Sequence, residues 1–93
     1  MTVEDSVTFL GRKGTLRILR SLNGGTKRFR DIYENFSNAA TLTRRLRDLE
    51  KKGLVERSAQ IKPGESVVVH YAITGKGRRI LEIYEKLIGE VEE

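Results

Sequence analysis

Residues 42–55 read LTRRLRDLEKKGLV, and this segment carries the strongest structural signal in the chain. Leu42, Leu46 and Leu49 recur at intervals of four and three residues. That spacing places the three leucines on one side of an α-helix, where they form a stripe suited to burial. The pattern therefore predicts a helix over residues 39–52 with a leucine face turned toward a core.

Turn-forming residues bound this helix and divide the rest of the chain. Asn38 is suited to cap the start of the helix, and Gly53 is suited to follow its end. The remaining elements are predicted as a helix from residue 7 or 11 to 22, a helix over 27–35 capped by Thr26, strands over 54–61 and 66–73, and a helix over 75–89 capped by Thr74. We predict a mainly α fold with a small β-hairpin, a winged helix-turn-helix, in a single domain over residues 1–93.

The basic charge of the chain lies in its middle. The chain has a net charge of +5 from 18 Lys and Arg against 13 Asp and Glu. Residues 12–62 alone hold 14 basic and 5 acidic side chains, a net +9, whereas the segments before and after each carry −2. A basic region confined in this way is typical of a surface that binds a polyanion such as nucleic acid.

The predicted helix over residues 39–52 has a small, polar and basic outer face. At 100° per residue, Ala40, Arg44 and Arg47 lie opposite the leucine stripe. Small residues near the start of a helix permit close approach to a DNA groove, and arginine reaches guanine edges or phosphates. We predict that this helix enters the major groove of duplex DNA. Its predicted DNA contacts are Asn38, Ala40, Thr41, Thr43, Arg44, Arg45 and Arg47.

Two arginines have an alternative to a DNA contact. Arg45 lies beside the leucine stripe, so packing within the protein and contact with a phosphate fit it equally well. For Arg17, in the first predicted helix, surface charge is favoured over a phosphate contact.

Further basic residues flank the helix-turn-helix and the hairpin. Arg28 and Arg30 stand near the start of the second predicted helix, which in such folds crosses the DNA backbone, and we predict phosphate contacts there. Lys27 is a weaker candidate of the same kind. Arg57 and Lys62 belong to the hairpin, where contact between the wing and DNA and plain surface charge fit them equally well.

The last predicted helix carries more apolar residues than one small core needs. Excess apolar surface on a terminal helix indicates a partner, and a second copy of the chain is the simplest one. We predict a homodimer with this helix at its interface. The predicted interface residues are Ile80, Ile83, Tyr84, Leu87 and Ile88.

Composition argues against catalysis, cofactors and membrane insertion. The chain has no cysteine and one histidine, His70, which is expected to occupy a strand position. No serine, histidine and aspartate set or carboxylate pair has catalytic spacing, so we expect no enzyme activity, cofactor or metal. No apolar run approaches the roughly 18 residues of a membrane span, and the N-terminus does not resemble a secretory signal. A cytoplasmic protein with no membrane partner is expected, and the sequence identifies no small-molecule effector.

Four segments together resemble the HxlR-type winged helix regulators, within the wider MarR-like group. These segments are GRKGTLRIL at 11–19, GGTKRFRDI at 24–32, LTRRLRDLEKKGLV at 42–55 and VHYAITGKG at 69–77. The resemblance implies that residues 39–52 are the recognition helix and residues 62–65 the wing tip. It also implies a dimer formed by the N-terminal segment and the last helix.

The chain departs from this family at several positions. Gly14 stands where a tryptophan is usual, and Ala39 stands where a proline commonly opens the recognition helix. The absence of cysteine puts thiol-based sensing out of reach. The short wing loop carries Glu65, which argues against deep insertion into a minor groove.

Three classes of function fit the sequence. The first is a dimeric regulator bound to duplex DNA. The second is a winged helix that mediates protein–protein contacts, for which weak and salt-insensitive DNA binding would argue. The third is an RNA-binding winged helix, which competition between duplex DNA and structured RNA would distinguish from the first.

Overall fold

The computed structural model describes residues 14–61, 63–64 and 66–92. Within them the elements are, in order, α1 (Thr15–Asn23), β1 (Lys27–Arg28), α2 (Phe29–Tyr33), α3 (Ala39–Lys51), β2 (Val55–Gln60), β3 (Val68–Ile73) and α4 (Gly75–Glu92). The strands form one antiparallel sheet in the order β1-β3-β2. Helices α2 and α3 with the turn between them, followed by the β2-β3 hairpin, are the predicted winged helix-turn-helix.

The leucine stripe of α3 lies at the centre of the hydrophobic core. Leu42, Leu46 and Leu49 are each at most 1% exposed, which confirms the predicted inner face of this helix. Burying such side chains is the main stabilising contribution in a domain of this size. The other buried apolar side chains of the core are Ile18, Leu19, Leu22, Ile32, Leu54, Val55, Ile73 and Leu81.

Both predicted ends of α3 are confirmed to within one residue. The Asn38 side-chain oxygen accepts a hydrogen bond from the Thr41 backbone N–H at 3.1 Å, as an N-cap should. The helix ends at Lys51, one residue before the predicted end. Gly53 then adopts a φ of 73°, the left-handed conformation that favours glycine after a helix.

The predicted start of the second helix at Lys27 is wrong. Lys27 and Arg28 instead form strand β1, which pairs with Tyr71 and His70 of β3. Helix α2 begins at Phe29 with Arg28 as its N-cap residue, so the predicted cap by Thr26 is also wrong. It ends at Tyr33, two residues before the predicted end. The backbone groups of Lys27 and Arg28 are paired with β3 and not within a helix. This pairing prevails although the apolar residues that follow have helical spacing.

The other boundaries differ from prediction by a few residues. Helix α1 begins at Thr15 and ends at Asn23, so the predicted start at residue 7 or 11 is wrong. Gly14 has a φ of 92° and is the N-cap residue, which interrupts a helix at that point, and the residues before it lie outside the described part of the chain. Strand β2 falls within the predicted 54–61, whereas β3 begins at Val68 rather than at residue 66. Helix α4 continues past the predicted end at Gly89 to Glu92. The predicted cap by Thr74 is confirmed, because its Oγ1 accepts a hydrogen bond from the Gly77 N–H at 3.0 Å.

Helices α1 and α4 are joined by an ion pair on the surface. The Arg20 guanidinium donates two hydrogen bonds to the Glu85 carboxylate, one of them from Nη2 to Oε2 at 3.1 Å. The hydrogen bond from Arg20 lowers the pKa of Glu85 below its ordinary value of 4.5, against a smaller opposing effect of burial. The carboxylate is therefore favoured in its charged form when the chain is folded.

Replacing Glu85 with glutamine is expected to lower the melting temperature at pH 7 and to have no effect in strong acid. Because the folded-state pKa is depressed, the ion pair stabilises the chain above pH 4.5. This contribution is lost as the pH falls below 4.5 and through the folded-state pKa. Thermal unfolding of both proteins from pH 7 to pH 2 measures the difference. Glu82→Gln, at an exposed position on the same helix, is the control, and a difference independent of pH would contradict the prediction.

Candidate nucleic-acid interface

The outer face of α3 is open to solvent because the leucine stripe holds the opposite face in the core. Asn38, Ala40 and Thr43 are exposed near its start, and Arg44 and Arg47 are exposed further along. Within the described residues, the side chains of Arg44 and Arg47 have no ion pair or hydrogen bond. Their guanidinium donors are therefore available to a bound anion or base edge.

The polar residues at the start of α3 are partly engaged within the protein. The Asn38 side-chain oxygen caps the helix, which leaves its amide N–H groups as donors. The Thr43 hydroxyl donates a hydrogen bond to the Ala39 carbonyl at 2.9 Å. Thr41 is half-buried. The predicted contacts at these positions thus rely on the amide N–H groups of Asn38 and on close approach by Ala40.

Arg45 differs from the other two arginines of the helix. Its side chain is 18% exposed, and its Nη1 lies 3.9 Å from the Asp48 Oδ2 one turn later. Of the two alternatives that the sequence left open for Arg45, this arrangement favours packing within the protein.

The basic residues of the sheet lie on two faces. Lys27, Tyr71 and Arg57 stand side by side across β1, β3 and β2, so they share one face. Arg28 belongs to the neighbouring row and points to the opposite face, because side-chain direction alternates along a strand. The structure therefore places Lys27 and Arg57 on one face, on either side of Tyr71, and Arg28 on the opposite face. Arg30 is exposed on α2, and Lys62 lies outside the described residues.

Helix α4 presents an exposed apolar face beyond the core. Ile83 is 64% exposed and Leu87 is 57% exposed, whereas Ile80, Tyr84 and Ile88 are half-buried. Ile80 packs against the core, so it serves the fold of the single chain. An open groove on this helix is lined by Tyr84, Leu87, Ile88 and Val91. Sequence reasoning missed Val91, which is 77% exposed, because it ended the helix at Gly89.

The part of the chain that the structure describes holds neither a metal-binding cluster nor a membrane-spanning helix. No group of three or more His, Asp or Glu side chains there is placed to hold a metal ion. No helix among these residues is both long and apolar enough to cross a membrane. His70 lies in β3 opposite Arg28 and Ser58, which confirms its predicted strand position.

Comparison with known proteins identifies a family. The HxlR-like helix-turn-helix family matches residues 9–93. The HTH-type transcriptional regulator YodB of Bacillus subtilis is 31% identical over 87 residues, which cover 91% of this chain and 76% of YodB. An uncharacterized HTH-type transcriptional regulator of Methanothermobacter thermautotrophicus is 33% identical over 88 residues, which cover 92% of this chain and 66% of that protein.

Solved structures agree with these sequence relatives. Diamide-treated YodB from B. subtilis matches with a TM-score of 0.86 at 27% identity, covering 99% of this chain and 93% of that one. The redox regulator HypR in its reduced form matches with a TM-score of 0.80 at 26% identity, covering 97% and 89%. The winged helix-turn-helix predicted from the sequence is thus confirmed, and the chain belongs to the HxlR-like helix-turn-helix family of transcriptional regulators.

Proposed function

We propose that the chain regulates transcription as a homodimer that binds specific sequences in duplex DNA, with α3 of each protomer in a major groove. The observation that carries the proposal is the exposed outer face of α3. Arg44 and Arg47 stand there on a helix whose opposite side is fixed in the core. A basic face of this kind favours a polyanion such as DNA over a protein partner.

Phosphate contacts and base contacts have different proposed roles in DNA binding. Contacts between basic side chains and phosphates supply most of the affinity and carry no sequence information. Exposed basic residues at Arg28, Arg30 and Arg57 are suited to that role, as is half-buried Lys27. Sequence preference comes from side chains that reach base edges, and arginine forms two hydrogen bonds with the O6 and N7 of guanine. Arg44 is our first candidate for this contact.

The apolar face of α4 is the proposed dimer interface. An exposed stripe of Ile83, Leu87 and Val91 along one helix is unusual on a monomer, and a second copy offers an equally apolar surface. A twofold dimer places two recognition helices about 34 Å apart, one turn of the DNA helix. We therefore expect a nearly palindromic binding site.

A thiol–disulfide switch needs cysteine, which some structures of relatives make relevant to this family. Structures of relatives include YodB in diamide-treated and quinone-bound forms and HypR in reduced and oxidized forms. The present chain contains no cysteine. A thiol–disulfide switch is therefore not part of the proposal.

Selection of duplexes from a randomised pool tests the proposed function. We expect the chain to enrich a nearly palindromic sequence and to bind it with two chains per duplex in sedimentation experiments. Structured RNA is expected to compete poorly. Leu87→Lys is expected to shift free dimers to monomers and to weaken binding of the full site, because it places a charge in the apolar face.

A matched variant makes this experiment specific to the interface. Glu82→Lys places the same side chain at an exposed position on the other side of α4 and is expected to leave the dimer intact. A wild-type chain that is monomeric at all concentrations would contradict the homodimer. Failure to enrich any sequence would contradict specific recognition.

A further inference from the structure

The turn that leads into the recognition helix is held by contacts from α1. Residues 34–38 connect α2 to α3, and all of them are exposed except Phe36. The Phe36 ring is half-buried and packs against the hydrophobic core. Phe36 is thus the side chain that anchors this turn to the body of the protein.

Gly14 makes room for the Phe36 ring. A Cβ atom at Gly14 would lie 2.5 Å from Cε1 and 3.0 Å from Cζ of this ring, closer than real side chains approach. The φ of Gly14 is 92°, a left-handed conformation that glycine adopts without strain. The ring therefore rests on the backbone at the start of α1, in a space that only glycine leaves open.

Arg17, in the first turn of α1, contacts the same segment between α2 and α3. Its Nη1 donates a hydrogen bond to the Asn35 carbonyl at 3.0 Å. Its guanidinium carbon lies 5.7 Å from the centre of the Phe36 ring, within the range of a cation–π contact. Arg17 is not the plain surface charge that the sequence suggested, since it satisfies a turn carbonyl and covers the aromatic anchor at once.

These contacts adjoin the start of α3. Arg17 and Phe36 line one small cavity together with Ser37, Asn38 and Thr41. Asn38 caps α3 through the Thr41 N–H. The cavity therefore lies between α1 and the first turn of the recognition helix. The Phe36 ring therefore lies beside the helix end that carries Ala40 and leads to Arg44.

We infer that Arg17 and Phe36 are positioning residues that set how the start of α3 is presented to DNA. The inference rests on the proposed function, because it assigns these two residues a part in sequence recognition. They act through α3, without touching a base. Losing either one is expected to blur discrimination between sequences more than it weakens attraction to the phosphates.

Equilibrium binding to two duplexes tests this role. One duplex is the sequence enriched by the wild-type chain, and the other is a random duplex of the same length. Arg17→Gln and Phe36→Leu are each expected to lower the affinity ratio between them by about tenfold, the effect of a misplaced base contact. The double variant is expected to lose little more than either single one, because both substitutions break the same contact. The salt dependence of binding is expected to stay unchanged.

Two further variants separate positioning from other effects. Arg17→Lys keeps a donor and a positive charge but loses the planar group over the ring, so we expect partial rescue of the affinity ratio. Arg20→Gln removes another arginine of α1. The side chain of Arg20 pairs with Glu85 of α4. We expect that variant to keep the wild-type ratio.

Failure of the positioning role can be distinguished from failure of the proposed function. An unchanged ratio in folded Arg17→Gln would overturn it, and this exposed position keeps the test valid if Phe36→Leu does not fold. An equal loss on both duplexes with a shallower salt dependence would make Arg17 a phosphate contact and would also overturn positioning. A wild-type chain without sequence preference would overturn the inference and the proposed function together.

Discussion

Replacing Gly77 with alanine is expected to lower the free energy of unfolding by about 3 kcal/mol. Gly77 is buried in the first turn of α4, against the segment that follows α3. A Cβ atom there would lie 2.8 Å from Cγ1 of Ile73 and closer still to the backbone oxygen of Leu54. Alanine usually favours a helix over glycine, so steric overlap has to outweigh that gain.

The surroundings of Gly77 have little freedom to relax. The Leu54 carbonyl accepts a hydrogen bond from the Thr74 N–H at 3.1 Å. The Thr74 hydroxyl donates to the Gly53 carbonyl at 2.7 Å. Lys76 Nζ donates to the Lys52 carbonyl at 3.0 Å. These bonds tie the end of α3 to the start of α4, so an added methyl group would have to break part of that junction.

Urea denaturation at one fixed protein concentration measures the effect, since the stability of the proposed dimer would depend on concentration. Gly89→Ala is the matched control, because it lies in the same helix and a Cβ atom there has nothing within 4 Å. We expect this control to be neutral or to stabilise the chain by up to about 1 kcal/mol. Equal stabilities of the two variants would show that the junction tolerates a side chain at Gly77.

Replacing Arg44 with alanine is expected to weaken binding to the selected duplex by roughly 1–3 kcal/mol, with a smaller loss on random DNA. Arg44 is exposed on the outer face of α3, and no described residue competes for its donors. The fold is expected to be unaffected, because the side chain takes no part in the core. The circular dichroism spectrum and the melting temperature check this point.

A second arginine provides the control for charge. Arg78 is exposed in the first turn of α4, and Arg78→Ala removes the same charge away from α3. We expect that variant to retain the preference for the selected duplex. Competition between the selected and random duplexes measures the difference. A loss of equal size on both duplexes for Arg44→Ala would make Arg44 a phosphate contact.

Helix α3 could be predicted from the sequence because its signals are local. The spacing of Leu42, Leu46 and Leu49 defines the inner face, and Asn38 and Gly53 mark the ends within a few residues of it. The same spacing also predicts which side chains remain outside. The bounds of α3 and the candidate DNA-binding face follow from this one segment and its neighbours.

Features that depend on contacts between distant segments could not be predicted. Strand β1 exists because Lys27 and Arg28 meet β3, far along the chain, and the local apolar spacing suggested a helix instead. Arg17 has the sequence surroundings of a surface residue, and its contact with Phe36 arises only when the turn folds onto α1. Gly77 has an ordinary helical position, and only the placement of the Leu54 carbonyl makes a side chain there costly.

Fluorescence anisotropy titration of the selected and random duplexes across a series of salt concentrations tests DNA recognition by α3 most directly. We expect tighter binding to the selected duplex. We also expect the logarithm of the binding constant to fall steeply with the logarithm of the salt concentration, by about 0.9 for each phosphate neutralised. Absence of binding at low salt, or binding that is insensitive to salt, would contradict DNA recognition by α3.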